Sequence, residues 1–364
     1  MKFSIILAKE QHYRLIVVGG GTGGCAIASK ISRLLPSKQQ QIAIIEPNRR
    51  HFYQPGLTLL AAGLMKPSQL IRNEYKLIPE GVDWVKNAVK SFSPAENRLT
   101  LNEGDMQLTY DYMVIATGLE LRYDLIEGLP HGQKSVLEAP GFPNTPIKCG
   151  GAPQKICYLA EDIFRENGVR EGSRVIYCTS LGAVFGVPKY SNALMSVIKD
   201  RGIELFTHEN GQIIKGKDVE FKYNLLHIGA PCSPVNAQGF VKVDPKTLQS
   251  PTYKNIFAIG DCANTPNAKT AAAVSSQLKA LFPNLLSAIE GNNLTKFYDG
   301  YSSCPLLVDR KHVILAEFTP NGPLETFPFD QSKPRRISYL MKRYLMPPLY
   351  WLLLVRGYWL GRKG

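Results

Sequence analysis

The chain has 364 residues, of which 44% are hydrophobic and 20% charged, a balance typical of a globular protein with two or three domains. Its formal net charge of +13 favours anionic partners, with a solvated basic surface as the alternative. There is no long Lys/Arg run or basic-aromatic pattern, which argues against nucleic-acid binding. Seven cysteines are too few for a disulfide-rich secreted scaffold, and the N-terminal residues show no signal peptide or presequence, so they give no direct cellular address.

The first predicted elements form a nucleotide-binding unit. An apolar strand at residues 15–18 leads into a glycine-rich turn with the spacing G-x-G-x-x-G over residues 19–24. A helical pattern follows, and a second apolar strand at residues 42–45 ends in Glu46. Such glycines permit a tight turn and let a pyrophosphate approach the helix N-terminus, while the acid binds ribose hydroxyls. The sequence therefore predicts a dinucleotide-binding fold.

Two later strands extend this prediction to FAD. Residues 112–116 form an apolar strand followed by Thr117 and Gly118, and a second apolar strand ends in a Gly-Asp pair at Asp261. The acid can bind the ribityl chain of FAD, while the glycine lets the backbone approach it. An Ala-rich helix begins near Lys269, and its N-terminus would favour negative charge on a reduced flavin. This order is typical of flavoproteins in which a second domain interrupts the FAD-binding domain.

A reductase that draws electrons from NAD(P)H needs a second glycine fingerprint. The candidate strand at residues 174–178 continues into TSLGAVFG, which lacks this spacing. Without those glycines the backbone cannot closely approach a pyrophosphate. The sequence therefore argues against a nicotinamide-dependent reductase and predicts that electrons enter from a small substrate.

Two cysteine-containing segments are the most distinctive part of the chain, FPNTPIKCGGAPQK with Cys149 and YDGYSSCPLL with Cys304. Together with VVGGGTGG, EPNRRHFYQPG, YMVIATG, TSLGAVFGVPKY, NIFAIGDCANTPNAKTAAAV and AEFTPNGPLETFPFDQSK, they resemble the mitochondrial type of the sulfide:quinone oxidoreductase family, within the flavoprotein disulfide reductase superfamily. The resemblance covers nearly the whole chain. It implies FAD as the cofactor and Cys149 and Cys304 as the redox pair. With the two residues after the 112–116 strand included, the predicted FAD contacts are Gly19, Gly20, Gly21, Thr22, Gly23, Gly24, Glu46, Gln54, Val89, Thr117, Gly118, Asp261, Lys269, Thr270, Ala271 and Ala272.

The resemblance implies an α/β fold with two Rossmann-like dinucleotide-binding domains, the second shortened and degenerate, and a C-terminal amphipathic, membrane-associating region. We expect the FAD-binding domain at residues 1–118 and 239–300 and the second Rossmann-like domain at residues 119–238. The redox-cysteine and membrane-anchoring region is expected at residues 301–364. The sequence makes no prediction of the oligomeric state.

The resemblance also implies a sulfur cycle. The hydrosulfide anion of hydrogen sulfide attacks an oxidised Cys149–Cys304 bridge and leaves a persulfide on Cys304, after which Cys149 passes two electrons through the flavin to ubiquinone. A thiol such as glutathione, or sulfite, removes the sulfane sulfur. Lys148 is adjacent in sequence and is a candidate for lowering the pKa of Cys149. From the residues alone, the alternative is a pair of buried structural thiols.

Five further cysteines have no predicted role: Cys25, Cys157, Cys178, Cys232 and Cys262. Among them, Cys232 lies between prolines and is predicted to be exposed. His51 and His227 are candidates for a proton step, with packed or surface histidines as the alternative. No group of His, Cys and carboxylate residues has the sequence spacing of metal ligands, so the sequence predicts no metal.

The composition changes at Lys333, where apolar and aromatic residues begin to alternate with Lys and Arg. The longest uncharged stretch, residues 344–355, is too short for a spanning helix, which needs about 20 residues. Two short amphipathic helices on an anionic membrane surface are predicted instead, which would give access to a bilayer quinone. The family resemblance implies that this membrane is the mitochondrial inner membrane, with peripheral, monotopic attachment. The predicted interfacial and lipid-facing side chains are Tyr350, Trp351, Tyr358, Trp359, Arg335, Arg336, Lys342, Arg343 and Arg356. The alternative is a hydrophobic helix packed on the core.

The second Rossmann-like domain is shorter than the family pattern. Few residues separate Pro130 from Phe142, where the family normally has an extra helix and strand. Their loss would expose a sheet edge. This shortening leaves open an inactive FAD-binding pseudoenzyme. A type II NADH dehydrogenase-like quinone reductase is the other alternative, and the missing second glycine fingerprint argues against it.

Overall fold

The architecture is that of a computed structural model, which describes residues 11–35, 41–125, 148–179, 181–207, 223–229, 231–234 and 239–361. The shortening predicted between Pro130 and Phe142 lies outside the described residues.

The described residues form sixteen strands: β1 Gln11–Val18, β2 Ile42–Ile45, β3 Arg50–Phe52, β4 Ile71–Asn73, β5 Val82–Val85, β6 Val89–Ser93, β7 Arg98–Leu101, β8 Gln107–Ile115, β9 Leu119–Leu121, β10 Ile176–Thr179, β11 Glu204–Thr207, β12 Cys232–Pro234, β13 Ile256–Ala258, β14 Ser302–Leu307, β15 Val313–Thr319 and β16 Gly322–Pro323. They also form eight α-helices: α1 Thr22–Ser32, α2 Leu57–Ala61, α3 Pro67–Leu70, α4 Ala152–Glu166, α5 Pro188–Asp200, α6 Ala271–Ile289, α7 Arg336–Leu340 and α8 Met346–Pro348.

A seven-stranded sheet forms the larger part of the fold, in the order β5-β2-β1-β8-β7-β6 with β13 also paired to β8. Strands β5, β2, β1, β8 and β13 are mutually parallel, as the predicted βαβ unit requires. Alternate residues of β1 enter different cores, with Leu15 and Val17 on one face of the sheet and Ile16 and Val18 on the other. Both faces are therefore covered, which is why the strand reads as a continuous apolar run.

One edge of β8 is shared by two strands. The antiparallel β7 pairs with residues 107–109, and the parallel β13 pairs with residues 113–115. Because parallel strands point the same way, the carboxyl ends of β1, β2, β8 and β13 meet at one edge of the sheet. The α/β fold class predicted from the sequence is confirmed, while the domain boundaries stay a prediction.

The second unit is small in the part of the chain that the structure describes. Strands β10 and β11 form a parallel pair connected through α5, close to the strand predicted at residues 174–178. Its core contains Tyr158 of α4, Tyr177 of β10 and Tyr190 of α5. The hairpin of β14 and β15 supplies the rest, including Cys304 and Leu306. Elements from the C-terminal part of the chain thus complete this core.

The C-terminal segment, residues 336–361, runs through α7, a π turn at Met341–Leu345, α8 and a second π turn at Leu349–Leu354. Tyr350 and Trp351 are buried in the larger core, so their predicted interfacial placement is wrong. The opposite face is exposed, with Leu352 at 66% and Tyr344 at 63% of their full accessible area. Within the described ranges, we find no helix both long and apolar enough to cross a bilayer.

Candidate functional site

The turn between β1 and α1 is shaped by positions where a side chain would not fit. Gly19 has φ +105°, and a Cβ there would lie 2.5 Å from the carbonyl oxygen of Ala116. A Cβ at Gly24 would lie 1.8 Å from the carbonyl oxygen of Gly19. A Cβ at Gly21, in contrast, would meet no described atom within 4 Å. The turn therefore packs tightly on one side and presents bare backbone on the other.

Glu46, directly after β2, ties this turn to the second strand. Its Oε2 accepts a hydrogen bond from the Gly20 backbone N at 2.8 Å. Its Oε1 accepts from the backbone N of Asn48 at 2.8 Å and from Asn48 Nδ2 at 2.7 Å. The carboxylate is thus held beside the N-terminus of α1, where this type of fold binds a ribose.

The turns after β8 and β13 lie side by side at the same edge of the sheet. Thr117 and Gly118 follow β8, and a Cβ at Gly118 would meet open space among the described residues. Ile259 N donates to the Ile115 carbonyl oxygen at 3.0 Å, which brings the turn with Asp261 next to them. A Cβ at Gly19 would lie 3.0 Å from Thr117 Cα, and one at Gly23 would lie 2.9 Å from Ile259, so both turns adjoin the glycine-rich turn.

The N-terminus of α6 reaches the same edge. Thr270 caps the helix, since its Oγ1 accepts from the backbone N of Ala273 at 3.0 Å, and Ala271 and Ala272 form the first turn. Lys269 Nζ donates to two carbonyl oxygens of the preceding loop, at 2.5 and 3.0 Å. A Cβ at Gly260 would lie 3.4 Å from Val274, so the start of α6 adjoins the turn that contains Asp261.

Lys148 connects two further predicted contacts. Its Nζ lies 2.9 Å from Asp261 Oδ2 and also donates to Gln54 Oε1. Val89 begins β6, which β7 separates from β8, and the contacts described above do not include it. The predicted set otherwise meets at one edge of the sheet, with glycines at the turns and an acid at the ribose position, and these residues fit FAD.

Cys149 and Cys304 are 155 residues apart in sequence, and their Sγ atoms lie 3.6 Å apart. Cys149 precedes α4, and its carbonyl oxygen accepts from the backbone N of Ala152 at 3.1 Å. Cys304 is a buried residue of β14. A Cβ at Gly151 would lie 2.8 Å from Cys304 Sγ and 2.4 Å from Leu306, so glycine is required for α4 to begin this close to β14.

The two sulfurs are electrostatically unequal. A hydrogen bond from Cys304 holds the pKa of Cys149 well below its usual value against the effect of burial, assisted by Lys155, the Gly151 N–H and Lys342. The same hydrogen bond, together with burial and the charge on Cys149, raises the pKa of Cys304. In the reduced pair, Cys149 is therefore the thiolate and Cys304 the thiol.

The cations beside this pair are Lys155 and Lys342, each only 5% exposed. Burial opposes charge on Lys155, but Cys149 and Cys304 outweigh it and its pKa is raised. Burial, followed by the charge on Lys155, lowers the pKa of Lys342 to about 7. Lys148, the cation predicted from the sequence, pairs with Asp261 instead. It is not among the main groups that shift the pKa of Cys149.

A buried polar network connects the C-terminal segment to the glycine-rich turn. His51 Nε2 lies 2.6 Å from Tyr350 Oη, and its Nδ1 lies 3.1 Å from the Gly20 carbonyl oxygen and 3.2 Å from Glu74 Oε2. Cys25 Sγ donates to Glu74 Oε1 at 3.2 Å. Potential metal-ligand atoms of Cys25, His51 and Glu74 all lie within 4.8 Å of one another. Sequence spacing did not reveal this cluster, because the three residues belong to three separate elements, and their polar atoms bond to one another.

The remaining cysteines are placed as follows. Burial raises the pKa of Cys25 and Cys262 in the larger unit, and that of Cys157 to about 12 and of Cys178 in the smaller one. The predicted exposure of Cys232 is wrong, because β12 pairs with β9 and leaves this residue 6% exposed.

Comparison with known proteins agrees with this geometry. Residues 13–141 match the protein family described as pyridine nucleotide-disulphide oxidoreductase. The solved structure of the sulfide:quinone oxidoreductase from Aquifex aeolicus shares the fold, with a TM-score of 0.77 and 17% identity over 96% of this chain and 92% of that one. Fold and site together define a flavoprotein of the disulfide-oxidoreductase class, with FAD as its cofactor.

The family follows from two curated relatives. The mitochondrial sulfide:quinone oxidoreductase of Mus musculus is 39% identical over 97% of this chain and 88% of its own length. The protein of the same name from Dictyostelium discoideum is 35% identical over 96% of this chain and 87% of its own length. The chain belongs to the mitochondrial type of the sulfide:quinone oxidoreductase family, and the resemblance noted in the sequence is confirmed.

Proposed function

We propose that this protein is a mitochondrial, FAD-dependent enzyme that oxidises hydrogen sulfide and delivers the electrons to a quinone. The observation that carries the proposal is the buried Cys149–Cys304 pair, with its sulfurs 3.6 Å apart and unequal in pKa. The names of the relatives support the substrate pair.

In the proposed cycle, hydrosulfide attacks Cys304 in an oxidised Cys149–Cys304 bridge. The bond between the two cysteines breaks, a persulfide remains on Cys304, and Cys149 leaves as a thiolate, which its low pKa favours. Bound FAD would supply the two-electron transfer from this thiolate to the quinone. A thiol such as glutathione, or sulfite, then takes the sulfane sulfur from Cys304, and the Cys304 thiolate re-forms the bond to Cys149, which accounts for the two electrons passed to the quinone.

The proposal assigns FAD to the carboxyl edge of the seven-stranded sheet. The bare backbone of the glycine-rich turn would accept the pyrophosphate, and Glu46 would accept the ribose hydroxyls. Asp261 and the first turn of α6 would lie on the flavin side, where a helix N-terminus favours an anionic reduced flavin.

An anaerobic titration of the holoenzyme with sulfide tests the reaction. We expect stoichiometric loss of the oxidised-FAD absorbance in the wild type and none in Cys149→Ser or Cys304→Ser, both of which should retain FAD. Normal bleaching in either variant would contradict the cysteine mechanism. Fast reduction by NADH but not by sulfide would indicate the dehydrogenase-like alternative, and bound FAD that neither donor reduces would indicate a pseudoenzyme.

The proposal includes peripheral attachment to an anionic membrane, the inner membrane of mitochondria. The exposed face of the C-terminal segment combines Tyr344, Leu352 and Leu353 with the basic side chain of Arg343. We expect the protein to sediment with vesicles that contain phosphatidylserine, and Leu352→Gln with Leu353→Gln to weaken this. Equal recovery of wild type and variant in the supernatant would contradict the attachment.

A further inference from the structure

The two buried lysines beside the cysteine pair need compensating negative charge if both are protonated. Lys155 comes from α4, and Lys342 comes from the C-terminal segment, where its Nζ lies 3.5 Å from the Pro55 carbonyl oxygen. The charged or titratable groups that face Lys342 are Lys155, Cys304 of β14 and Cys149 of the loop before α4. A buried ion without a counter-ion is costly, so these groups must be considered together.

The charge that this cluster can hold changes with its redox state. When the two cysteines form a disulfide, neither sulfur is charged, and two ammonium groups would have no counter-ion between them. When Cys149 is a thiolate and Cys304 carries a persulfide anion, two negative charges match two positive ones. The reaction with hydrosulfide therefore allows the cluster to hold one additional positive charge, because a second negative charge forms on the sulfurs.

Building on the proposed sulfide oxidation, we propose that Lys342 is a neutral amine in the disulfide form and accepts the proton released by the attacking hydrosulfide. The hydrosulfide sulfur forms a bond to Cys304 Sγ, and the bond between Cys304 and Cys149 breaks. Its electron pair stays on Cys149 as the thiolate, and the hydrosulfide proton passes to the Lys342 amine. With hydrosulfide included, the cluster has zero net charge before and after the step.

The environment of the two lysines indicates which of them accepts the proton. The pKa of Lys342 is lowered to about 7 by burial and by the nearby Lys155 ammonium. The pKa of Lys155 is raised by the two sulfurs despite its burial. Lys342 is therefore the lysine that gives up its proton first when the sulfur charges are lost in the disulfide, and Lys155 keeps its charge.

The test is the rate of FAD reduction by sulfide in the holoenzyme, followed by anaerobic stopped-flow absorbance between about pH 6 and pH 9, where the acceptor should change its protonation. Wild type, Lys342→Met and Lys342→Arg are compared at each pH, because the ionisation of sulfide cancels in the ratio of their rates. We expect the wild type to be about 100-fold faster than either variant at the alkaline end. This ratio should fall toward the acid end of the range, where Lys342 becomes protonated. The pKa of Lys342 is about 7 beside the reduced cysteines, and loss of the sulfur charges in the disulfide lowers it further.

Lys342→Arg separates the proton acceptor from a fixed charge, because arginine keeps its positive charge and does not act as a base here. If this variant is as fast as the wild type, or if the ratio is the same at every pH, Lys342 is only a counter-ion and the inference is wrong. Lys155→Met removes the repulsion that lowers the pKa of Lys342. In this background, the pH at which the rate advantage of Lys342 is lost should therefore be higher.

A measurement on the wild type alone covers the case in which the variants fail to fold. Cyanide attacks disulfides as an anion that carries no proton. The rate of this attack per mole of cyanide anion should therefore not decrease when the pH is lowered below neutral. A fall that matches that of hydrosulfide would overturn the inference. If sulfide does not reduce the FAD of the wild type at all, the proposed function fails and the inference fails with it, which distinguishes the two failures.

Discussion

The two main hydrophobic cores of the molecule are closed in different ways. The larger core lies on one face of a seven-stranded sheet and is covered by α1, α6 and the C-terminal segment. In the described residues, the smaller core has only the β10–β11 pair with α4 and α5, and it is completed by β14 and β15. The sheet edge proposed to bind FAD is therefore built from turns on a broad scaffold, whereas the Cys149–Cys304 pair depends on a strand that joins two parts of the chain.

Strand β14 makes this difference testable, because it contributes to both cores. Cys304 and Leu306 point into the smaller core, while Leu307 belongs to the larger one. The hairpin that closes the smaller core is thus the same element that brings Cys304 to Cys149. We expect folding of this region and formation of the cysteine pair to occur together.

The largest expected difference between the two regions is in thiol reactivity. In the reduced holoenzyme at pH 7, iodoacetamide should label Cys149 at least about 1000-fold faster than Cys25 or Cys262, because a lowered pKa makes Cys149 a thiolate and burial raises the pKa of the other two. Peptide mass spectrometry over time measures the rates. Cys157 is the control, since it is half-buried like Cys149 but has a pKa raised to about 12. Equal labelling of Cys149 and Cys157 would contradict the assignment.

Next in size are two substitutions at neighbouring positions of β14. Leu306→Ala and Leu307→Ala each remove a fully buried side chain and should lower the free energy of unfolding by about 2–5 kcal/mol in urea titrations. Only the first should slow sulfide-dependent reduction of FAD, because Leu306 lies against the position of Gly151 beside the cysteines. Only the second should increase FAD loss, measured by flavin fluorescence. If both variants slow FAD reduction, or both increase FAD loss, the two cores do not have separate effects on the cysteine pair and on FAD binding.

A smaller effect is expected at the FAD edge. Gly24→Ala forces a Cβ against the Gly19 carbonyl oxygen, and a strain of about 1–3 kcal/mol should weaken FAD binding about 10- to 100-fold. Gly21→Ala is the matched control, because its Cβ would meet open space. Gly21→Ala should weaken FAD binding without lowering the stability of the apoprotein. Gly24→Ala should lower both the FAD affinity and the stability of the apoprotein. Unchanged FAD affinity in Gly21→Ala would show that the cofactor does not contact this face of the turn.

The smallest effect concerns the polar network under the C-terminal segment. Tyr350→Phe removes the hydroxyl that lies 2.6 Å from His51 Nε2 and 2.9 Å from Thr22 Oγ1, and should cost about 1–2 kcal/mol of unfolding free energy. Tyr358→Phe, at an exposed position of the same segment, should leave thermal unfolding unchanged. A loss of equal size in both variants would mean that the network is not what holds the segment.

Much of this arrangement could be predicted from the sequence, because it depends on local patterns. The spacing of glycines over residues 19–24 and the acid at Glu46 have fixed consequences for the backbone, and the structure places both as expected. Cys149 and Cys304 were paired through the resemblance of their flanking segments. Their separation in sequence alone does not determine that they meet.

The errors concern residues whose surroundings come from distant elements. Tyr350 and Lys342 were predicted to face lipid, because an amphipathic pattern shows that a segment has two faces without identifying what covers the apolar one. Adjacency in sequence favours Lys148 as the cation beside Cys149. Lys155 was the better candidate, since it lies on the first turn of the helix that follows Cys149.

The burial of one face of the C-terminal segment has a practical consequence for preparing the protein without detergent. Ending the chain before Pro347 would remove Tyr350, Trp351 and Leu354 from the larger core and uncover α1 beside the glycine-rich turn. Replacing the exposed Leu352 and Leu353 with polar residues would reduce the exposed apolar surface and leave the buried contacts of the segment intact. Solubility is therefore to be improved through the exposed face of this segment, because its other face packs into the larger core beside the glycine-rich turn.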